Sequence, residues 1–320
     1  MSQVLVISGH PDLNASYTNT VILEQIQSNL SDVEVRRLDS LYPDYRIDVV
    51  AEQQAMLAAD VIVLQFPFYW YAVPALMKKW IDDVFSFNFA YGPEGDKLKG
   101  KDFILSFTVG GPAESYDPLG YNHFTVEQML HPLQQTAYLA GMNYRQPIYT
   151  HRMVYIPNVY NELEDVQARA KNHAERLCSQ ISELLTSPTT RINKFITEWF
   201  ARFDVLPEDS DFFTRHLARD LTLSMPEGQF LGHEGFRDWY RIALETFKPN
   251  CQHLVEQIEV IPNGDKFDVK LRVRLLADTY PDSTFVGQSV NILVDETWQV
   301  SFDTQGDVLI HNYLVAPVVS

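Results

Sequence analysis

One stretch of the chain decides the fold: VIVLQFPFYWYAVP, residues 61–74. It opens with a continuous apolar run, which is typical of a parallel strand covered by helices on both faces. Four consecutive aromatic side chains follow, from Phe68 to Tyr71. Pro74 suits the first turn of a helix, where its missing N–H costs no hydrogen bond. The stretch therefore predicts a buried strand, an aromatic loop and a helix in succession.

The same alternation of strand and helix continues on both sides of this stretch. Strand patterns lie at 3–8, 33–38, 61–66, 102–108 and 146–155, and helical patterns near 18–30, 49–58, 74–86, 123–141 and 161–186. Five alternations predict an α/β fold with a doubly wound, five-stranded parallel sheet. The small-residue segment from Thr186 to Thr190 ends the pattern, so we place a first domain at residues 1–187.

Residues 191–320 follow a different order. Helical patterns at 191–203 and 209–218 come first, then an extended run at 220–226 and a helical pattern at 233–247. Long extended segments follow at 252–262, 266–279, 285–302 and 307–318, separated in two places by turns typical of hairpins. Helices followed by an antiparallel sheet predict a separate α+β domain.

The charge balance limits the partners. The chain carries 25 Lys and Arg against 42 Asp and Glu, a formal net charge of −17. Such a protein offers no basic face to nucleic acid or to anionic lipid. Its two cysteines give no disulfide framework, and it has neither an apolar run of roughly 18 residues nor a basic leader segment. We therefore expect a cytoplasmic protein without membrane insertion.

Three loops follow strands of the first half, and ligands of open α/β sheets bind at that edge. The loop at residues 9–19 ends where a helix begins, and Ser16, Thr18 and Asn19 add polar side chains suited to a phosphate. An ordinary capped helix is the alternative. The loop has no Gly-rich P-loop and no G-x-G-x-x-G fingerprint, so nucleoside triphosphate chemistry is not indicated.

The other two loops suit a planar ring. Four aromatics in a row cannot all face one core, and a flat ring system lying against Trp70 would explain them, as would an aromatic contact with another protein. Gly110 and Gly111 follow the fourth strand and allow the backbone to approach a ligand closely. A plain glycine turn is the alternative there.

The first half resembles the flavodoxin-like NAD(P)H:quinone reductases, including the bacterial branch with ancillary flavoproteins of glutathione-gated potassium efflux systems. The resemblance rests on the following stretches: Gly9-His10-Pro11 with Ser16 and Asn19, Leu41-Tyr42-Pro43-Asp44, Ala51-Glu52-Gln53, Pro67 to Tyr71, Pro74 to Trp80 with Ile81-Asp82 and Val84-Phe85, Ala90-Tyr91-Gly92, and Gly110-Gly111. These stretches span nearly all of residues 1–185.

The resemblance implies bound FMN, with FAD as the alternative used by another branch. It implies phosphate contacts from His10, Ser16, Tyr17, Thr18 and Asn19, and ring contacts from Phe68, Tyr69, Trp70, Tyr71, Thr108, Val109, Gly110 and Gly111. It also implies a homodimer with shared active sites and ping-pong hydride transfer from NAD(P)H to a quinone-like acceptor. Ping-pong transfer explains why an NAD(P)H enzyme needs no dinucleotide fingerprint.

Family members also carry a tyrosine and a histidine after the Gly-Gly loop, and Tyr116 and His123 are the candidates here. Donors at these positions would stabilise the charge that forms on reduction. The intervening segment is one residue longer than in the family, so Tyr121 and an exposed His123 stay as alternatives. His131, just before a proline in a helical pattern, is interpreted as structural.

The second half resembles the NTF2-like, or SnoaL-like, cone-shaped α+β fold, through 220–226, 232–236 and Trp239. Members of that fold include cyclases, isomerases and binding modules, so the fold leaves function open. Candidate pocket residues are Trp199, His216, Trp239, His253, Trp298, His311 and Tyr313. The sequence alone reveals no carboxylate–histidine or tyrosine–aspartate pair among them.

Three functions compete at this stage. The first is an FMN-dependent oxidoreductase that passes hydride from NAD(P)H to a quinone or similar small acceptor. The second is a regulatory flavin-binding subunit of a potassium efflux transporter. The third is a bifunctional enzyme whose second domain acts as a cyclase or isomerase.

Overall fold

The computed structural model describes residues 3–318. The chain divides into two compact units, Met1–Leu185 and Thr186–Ser320, here called the N-terminal unit and the C-terminal unit. Within the described residues, no helix combines the length and the hydropathy needed to cross a membrane.

The N-terminal unit is built on a parallel sheet, as the sequence predicts. Its strands are β1 (Val4–Ser8), β2 (Val33–Arg37), β3 (Val61–Pro67), β4 (Asp102–Thr108), β5 (Asn143–Tyr144) and β6 (Ile148–Thr150). The order across the sheet is β2-β1-β3-β4-β5, and β6 also pairs with β4. Every residue of β1, β3 and β4 is buried, which explains their continuous apolar patterns.

Helices pack against this sheet. They are α1 (Asn19–Asn29), α2 (Leu38–Leu41), α3 (Val49–Ala58), α4 (Ala75–Val84), α5 (Val126–Met129), α6 (His131–Leu139) and α7 (Leu163–Thr186). Capping sets two of the starts. Asp48 accepts a hydrogen bond from the N–H of Ala51, and Thr125 and Gln128 form a capping box.

Two boundaries differ from the sequence prediction. The strand predicted at 146–155 is shortened to β6, and β5 lies before the predicted range; Pro147 between the two strands lacks an N–H for the ladder. The helix predicted at 123–141 begins only at Val126 and is interrupted at Leu130, since the following helix has Pro132 in its first turn.

A charged side chain lies inside the N-terminal unit. Glu52 on α3 is fully buried, and its carboxylate accepts hydrogen bonds from Arg36 Nε at 2.8 Å, Tyr42 Oη at 2.6 Å and Trp80 Nε1 at 2.8 Å. These partners come from β2, from the segment after α2 and from α4. The carboxylate therefore joins three parts of the fold, and each bond offsets part of the cost of burying it.

The C-terminal unit combines helices with a mixed sheet. Its elements are α8 (Pro188–Val205), α9 (Asp211–Arg215), β7 (Leu217–Met225), β8 (Gly228–Leu231), α10 (Gly232–Thr246), β9 (Gln252–Asn263), β10 (Lys266–Asp278), β11 (Ser289–Phe302) and β12 (Val308–Pro317). The sheet order is β8-β7-β12-β11-β10-β9. The prediction of a purely antiparallel sheet was wrong, because β12 pairs with β7 in parallel.

Other element boundaries in the C-terminal unit also differ from the sequence prediction. The helix predicted at 209–218 ends at Arg215, and Leu217 already belongs to β7. The strand predicted from residue 285 begins at Ser289, because Val286 has a left-handed backbone (φ 52°) within a turn. Aromatic side chains of α8, α9 and β11 fill the core, and the Trp199 ring centroid lies 5.1 Å from that of Phe213.

Candidate active site

The three loops singled out in the sequence follow β1, β3 and β4, which are neighbours in the sheet. The Gly9 N–H donates to the Gln65 carbonyl at 2.8 Å, and the Phe68 N–H donates to the Thr108 carbonyl at 2.9 Å. Gly9 also packs on the Met77 side chain, where a Cβ would stand 2.5 Å from the Met77 methyl carbon. The structure therefore brings the three loops together at one edge.

The first loop presents a helix start. Ser16 Oγ accepts a hydrogen bond from the Asn19 N–H at 3.0 Å and so orders the turn into α1. The N–H groups of Tyr17 and Thr18 donate to no protein group within residues 3–318. Unpaired N–H groups at the N-terminus of an 11-residue helix suit an anionic ligand such as a phosphate.

Tyr17 and His10 flank this turn. The Tyr17 hydroxyl accepts a hydrogen bond from the Tyr155 N–H at 2.7 Å, which fixes its ring against a neighbouring loop. The His10 ring lies edge-on to Tyr69, with centroids 6.4 Å apart, and its Nδ1 accepts from the Asp12 N–H at 3.2 Å. Burial lowers the pKa of His10, so the ring is neutral near pH 7.

The side chain of Asn19 is fully engaged inside the protein. Its Oδ1 accepts from Gln65 Nε2 at 2.9 Å, and its Nδ2 donates to Thr108 Oγ1 at 3.3 Å. The hydroxyl of Ser106 continues this buried chain, 2.6 Å from Gln65 Oε1 and 2.8 Å from His173 Nε2. The Asn19 side chain therefore positions the ends of β3 and β4.

The aromatic loop makes a tight turn after β3. Trp70 (φ 47°) and Tyr71 (φ 66°) both have left-handed backbone, and the Ala72 N–H donates to the Tyr69 carbonyl at 3.0 Å. Large side chains rarely adopt this conformation, so the turn is strained. Trp70 is 92% exposed, whereas Phe68 packs on Phe107 with ring centroids 5.1 Å apart. The turn thus presents an indole to solvent at the ligand edge of the sheet.

The Gly-Gly loop is held from one side. The Val109 N–H donates to the Thr150 carbonyl at 2.9 Å, and the Arg152 N–H donates to the Gly111 carbonyl at 3.1 Å. The N–H groups of Gly110 and Gly111 find no acceptor in the part of the chain that the structure describes. A Cβ on Gly111 would stand 3.3 Å from the Tyr116 ring. Two donors therefore remain available to a ligand.

Tyr116 lies beside a histidine that the sequence analysis did not select. The ring centroids of Tyr116 and His151 are 5.3 Å apart, and His151 Nδ1 lies 3.2 Å from the Gly111 carbonyl oxygen. Burial raises the pKa of Tyr116 and lowers that of His151, so at neutral pH the phenol keeps its proton and the imidazole is uncharged. His151 comes just after β6, the strand next to β4. This position at a strand end is the sequence signal by which His151 could have been selected.

His123 and Tyr121 are placed differently. The His123 side chain is exposed, and its backbone is left-handed (φ 60°). No hydrogen bond or ring contact joins it to Tyr116 in residues 3–318, and Tyr121 is 86% exposed. The structure thus groups Tyr116 with His151 and leaves His123 at the surface.

The arrangement suits a planar anionic ligand rather than a metal. No group of three or more His, Cys, Asp or Glu side chains within residues 3–318 has the spacing of a metal site. The helix start offers donors to a phosphate, the Gly-Gly loop offers donors to the edge of a ring, and Trp70 offers an exposed aromatic surface. FMN, which joins a phosphate to a flat ring, fits these residues.

Comparisons with known proteins agree with this geometry. The chain is 36% identical over 196 residues to YdeQ of Bacillus subtilis, named an NAD(P)H oxidoreductase, and covers 94% of it with 61% of its own length. It is 40% identical over 174 residues to KefF of an Enterobacter species, named an ancillary protein of a glutathione-regulated potassium efflux system; the match covers 94% of KefF and 54% of this chain.

A solved structure gives the same result. The general stress protein 14 of Treponema denticola, crystallised with FMN, is 29% identical and superposes with a TM-score of 0.52, over 57% of this chain and 99% of that protein. A family model described as a flavodoxin-like fold matches residues 2–177. With more than half of its length matched, the chain belongs to this flavodoxin-like family, among whose members are named NAD(P)H oxidoreductases.

Proposed function

We propose that the N-terminal unit binds FMN and transfers hydride from NAD(P)H to a quinone-like acceptor. The observation that carries this proposal is the set of unpaired N–H groups on the loops after β1 and β4, at Tyr17, Thr18, Gly110 and Gly111. The relative crystallised with FMN and the relative named an NAD(P)H oxidoreductase support it. FMN, when bound, supplies the hydride acceptor and donor that no protein side chain provides.

The phosphate and the ring would be held by different parts of the site. We assign the phosphate to the start of α1, with His10, Ser16, Tyr17, Thr18 and Asn19 shaping the loop. Asn19 acts there through its buried bonds to Gln65 and Thr108. We assign the ring to Phe68 through Tyr71 on one side and to Thr108 through Gly111 along its edge. The unpaired Gly110 and Gly111 N–H groups would meet the ring's acceptor atoms.

Tyr116 would act on the acceptor. Because burial raises its pKa, the phenol holds its proton at neutral pH and donates a hydrogen bond to an oxygen that gains negative charge on reduction. His151, 5.3 Å from Tyr116 between ring centroids, would share this role. His123 would take part only if the exposed segment that carries it moves over the bound ring.

The test is an FMN titration of the full chain by isothermal titration calorimetry, followed by NADPH oxidation with a generic quinone. We expect Trp70→Ala to weaken FMN binding by about fivefold, since a ring contact contributes about 1 kcal/mol. Gly111→Val, which drives a side chain toward Tyr116, should weaken it further. Tyr138→Ala is the matched control, because Tyr138 is a 55% exposed aromatic on α6, outside the three loops. A parent protein that binds neither FMN nor FAD at micromolar concentration would refute the assignment.

We propose residues 1–187 and 191–320 as two domains, the second of the NTF2-like type. The division into units at Leu185 and Thr186 supports the first part, and helices packed on one mixed sheet support the second. A fragment that ends near Ser187 should still bind FMN and oxidise NAD(P)H with a quinone. A soluble, flavin-loaded fragment without reductase activity would show that the second domain completes the site.

We also propose a cytoplasmic homodimer. Both cysteines are buried free thiols, as expected in a reducing compartment. The exposed side chains of Leu119, Tyr121 and Phe124 offer apolar surface for a second copy. Light scattering after size-exclusion chromatography should give twice the chain mass of 36.8 kDa.

A second candidate function is a regulatory subunit of a potassium efflux transporter. The 40% identity to KefF favours it. Negligible quinone turnover by a fully flavin-loaded protein would support this role over the reductase.

A further inference from the structure

The C-terminal unit contains a cavity of about 380 Å³, which is within the range of small-molecule sites. The inward face of β11 forms one wall, and α8 and α10 cover it. Phe285 and Pro317 at the rim are exposed, whereas Glu296 and Tyr313 are buried. The cavity therefore runs from the surface of this unit to a polar floor.

Its walls are largely apolar. Six aromatic rings line it, those of Phe200, Phe203, Trp239, Phe247, Phe285 and Tyr313, together with aliphatic side chains. Rings of this kind pack well on flat, apolar ligands, whose transfer from water is favourable.

The floor carries a carboxyl group without a cation. Glu296 is 5% exposed and stands in an inward-facing row of β11 that otherwise holds Ile292, Val294 and Trp298. Trp298 Nε1 donates to its Oε2 at 3.0 Å, and no Lys or Arg pairs with it in the described chain. Burial raises its pKa to about 7, against the opposing effect of Tyr313 and Trp298. A glutamate in an apolar row is costly to bury, and this one lines the cavity.

A histidine with a fixed orientation lies in the same wall. His253 Nδ1 is 2.7 Å from Asp204 Oδ1, and the Asp204 carboxylate also accepts from the His253 N–H at 2.9 Å. The ring stacks on Phe200 with centroids 5.1 Å apart. Because the Asp204 carboxylate accepts from Nδ1–H, Nε2 is the ring nitrogen left for a ligand, and it has no protein partner within residues 3–318.

We propose that this cavity is a second ligand site, which takes a neutral, planar aromatic molecule bearing a hydroxyl group. The aromatic walls select a flat apolar body. The Glu296 carboxyl group and His253 Nε2 can each hydrogen-bond to a hydroxyl group, which both donates and accepts. A carboxylate ligand is disfavoured, because its charge would share the cavity with the side chains of Glu296 and Glu227, and no Lys or Arg is among the lining residues. This inference does not rest on flavin binding by the N-terminal unit.

The probes are 2-naphthol and its anionic counterpart 2-naphthoate, titrated by calorimetry into the full chain saturated with FMN. We expect 2-naphthol to bind with a dissociation constant below about 1 mM. Ala243→Phe, which places a ring inside the cavity, should weaken that binding at least about tenfold. Ile242→Phe is the matched control, because Ile242 is on the same helix, 38% exposed and outside the cavity lining.

The charge of Glu296 gives an independent readout. At pH 8, 2-naphthoate should bind at least about tenfold more weakly than 2-naphthol. This difference in affinity should decrease as the pH falls below 7. Glu296→Gln should also decrease the difference in affinity between the two probes at pH 8. Absence of 2-naphthol binding, full binding in Ala243→Phe, or equal binding of the two probes at pH 8 would each overturn the proposal. The comparison of probes in the unchanged protein decides the matter even if a variant fails to fold.

Discussion

Two glutamates lie inside the protein, one in each unit, and their surroundings differ. Glu52 meets the Arg36 guanidinium, the Tyr42 hydroxyl and the Trp80 indole N–H, so its charge is balanced and its oxygens are occupied. Glu296 meets the indole of Trp298 and the hydroxyl of Tyr313 but no cation in the described residues, and it borders a cavity.

The difference distinguishes a carboxylate with a structural role from one that can take part in ligand binding. A buried carboxylate with a full set of partners holds elements together and has nothing left to offer a ligand. One with an incomplete set changes its protonation state with pH and with whatever enters the cavity. Substitutions at or beside each glutamate test whether this distinction holds.

The largest effect is expected at the paired glutamate. Arg36→Met leaves the Glu52 charge buried without its cation, which should lower the free energy of unfolding of the N-terminal unit by about 3 to 5 kcal/mol. Amide hydrogen exchange of peptides from that unit measures the change. Adding Glu52→Gln should recover most of the loss, since the neutral amide needs no cation. If Arg36→Met lowers the free energy of unfolding by less than about 1 kcal/mol, the Arg36–Glu52 pair contributes no more than an exposed surface ion pair.

The unpaired glutamate should reveal itself through pH. Its folded pKa, about 7, is above the ordinary value of 4.5, so the folded state binds the proton more tightly. The resulting stability of the C-terminal unit is fully present below pH 4.5 and is lost as the pH rises through 7, by about 3 kcal/mol. Glu296→Gln should remove this dependence when exchange rates are compared across pH 5 to 8. The same slope in parent and variant would argue that Glu296 is ionised throughout.

The distinction extends to two histidines of the N-terminal unit. His173 is buried, with Ser106 at one ring nitrogen and Thr150 at the other, and burial lowers its pKa to about 3. His151 is half-buried beside Tyr116. His151→Gln and Tyr116→Phe should each lower quinone turnover about tenfold or more at normal FMN content. His173→Gln should lower stability, and any change in turnover should follow the FMN content, because His173 contacts the candidate site through Ser106 and the network that positions Asn19.

His123→Gln is the informative comparison for this pair. Turnover unaffected by His123→Gln but reduced by His151→Gln would assign the role to the histidine that the fold places near Tyr116. The reverse result would mean that the exposed segment around His123 folds over the bound flavin.

The smallest effect concerns the strained turn. Trp70→Gly relieves a left-handed conformation and should raise the stability of the N-terminal unit by about 1 kcal/mol, while FMN binding weakens. Thermal unfolding without and with FMN separates the two effects. A destabilised FMN-free variant would show that the indole has packing partners and that the backbone strain is minor.

The sequence predicted those features of the fold that depend on a single local pattern. Continuous apolar runs located β1, β3 and β4, and strand-end loops pointed to the edge where Gly110 and Gly111 lie. The motif residues Tyr42, Glu52 and Trp80 also carried the family resemblance, although their role became visible only as one buried network.

Contacts between distant segments could not be predicted. His151 approaches Tyr116 because β6 pairs with β4, a pairing that no local pattern encodes. Asp204 and His253 are 49 positions apart and meet only when α8 packs against β9. The parallel pairing of β12 with β7 is hidden for the same reason, since alternation in a strand does not tell the direction of its neighbour.

The turn at Trp70 has an optical consequence. Of the five tryptophans, Trp80, Trp199 and Trp298 are fully buried, and Trp70 is almost wholly in water. Its emission should therefore form the red edge of the protein's fluorescence spectrum. A flavin stacked on it would absorb that emission, so red-edge quenching would report binding from the chain's own residue, without a label.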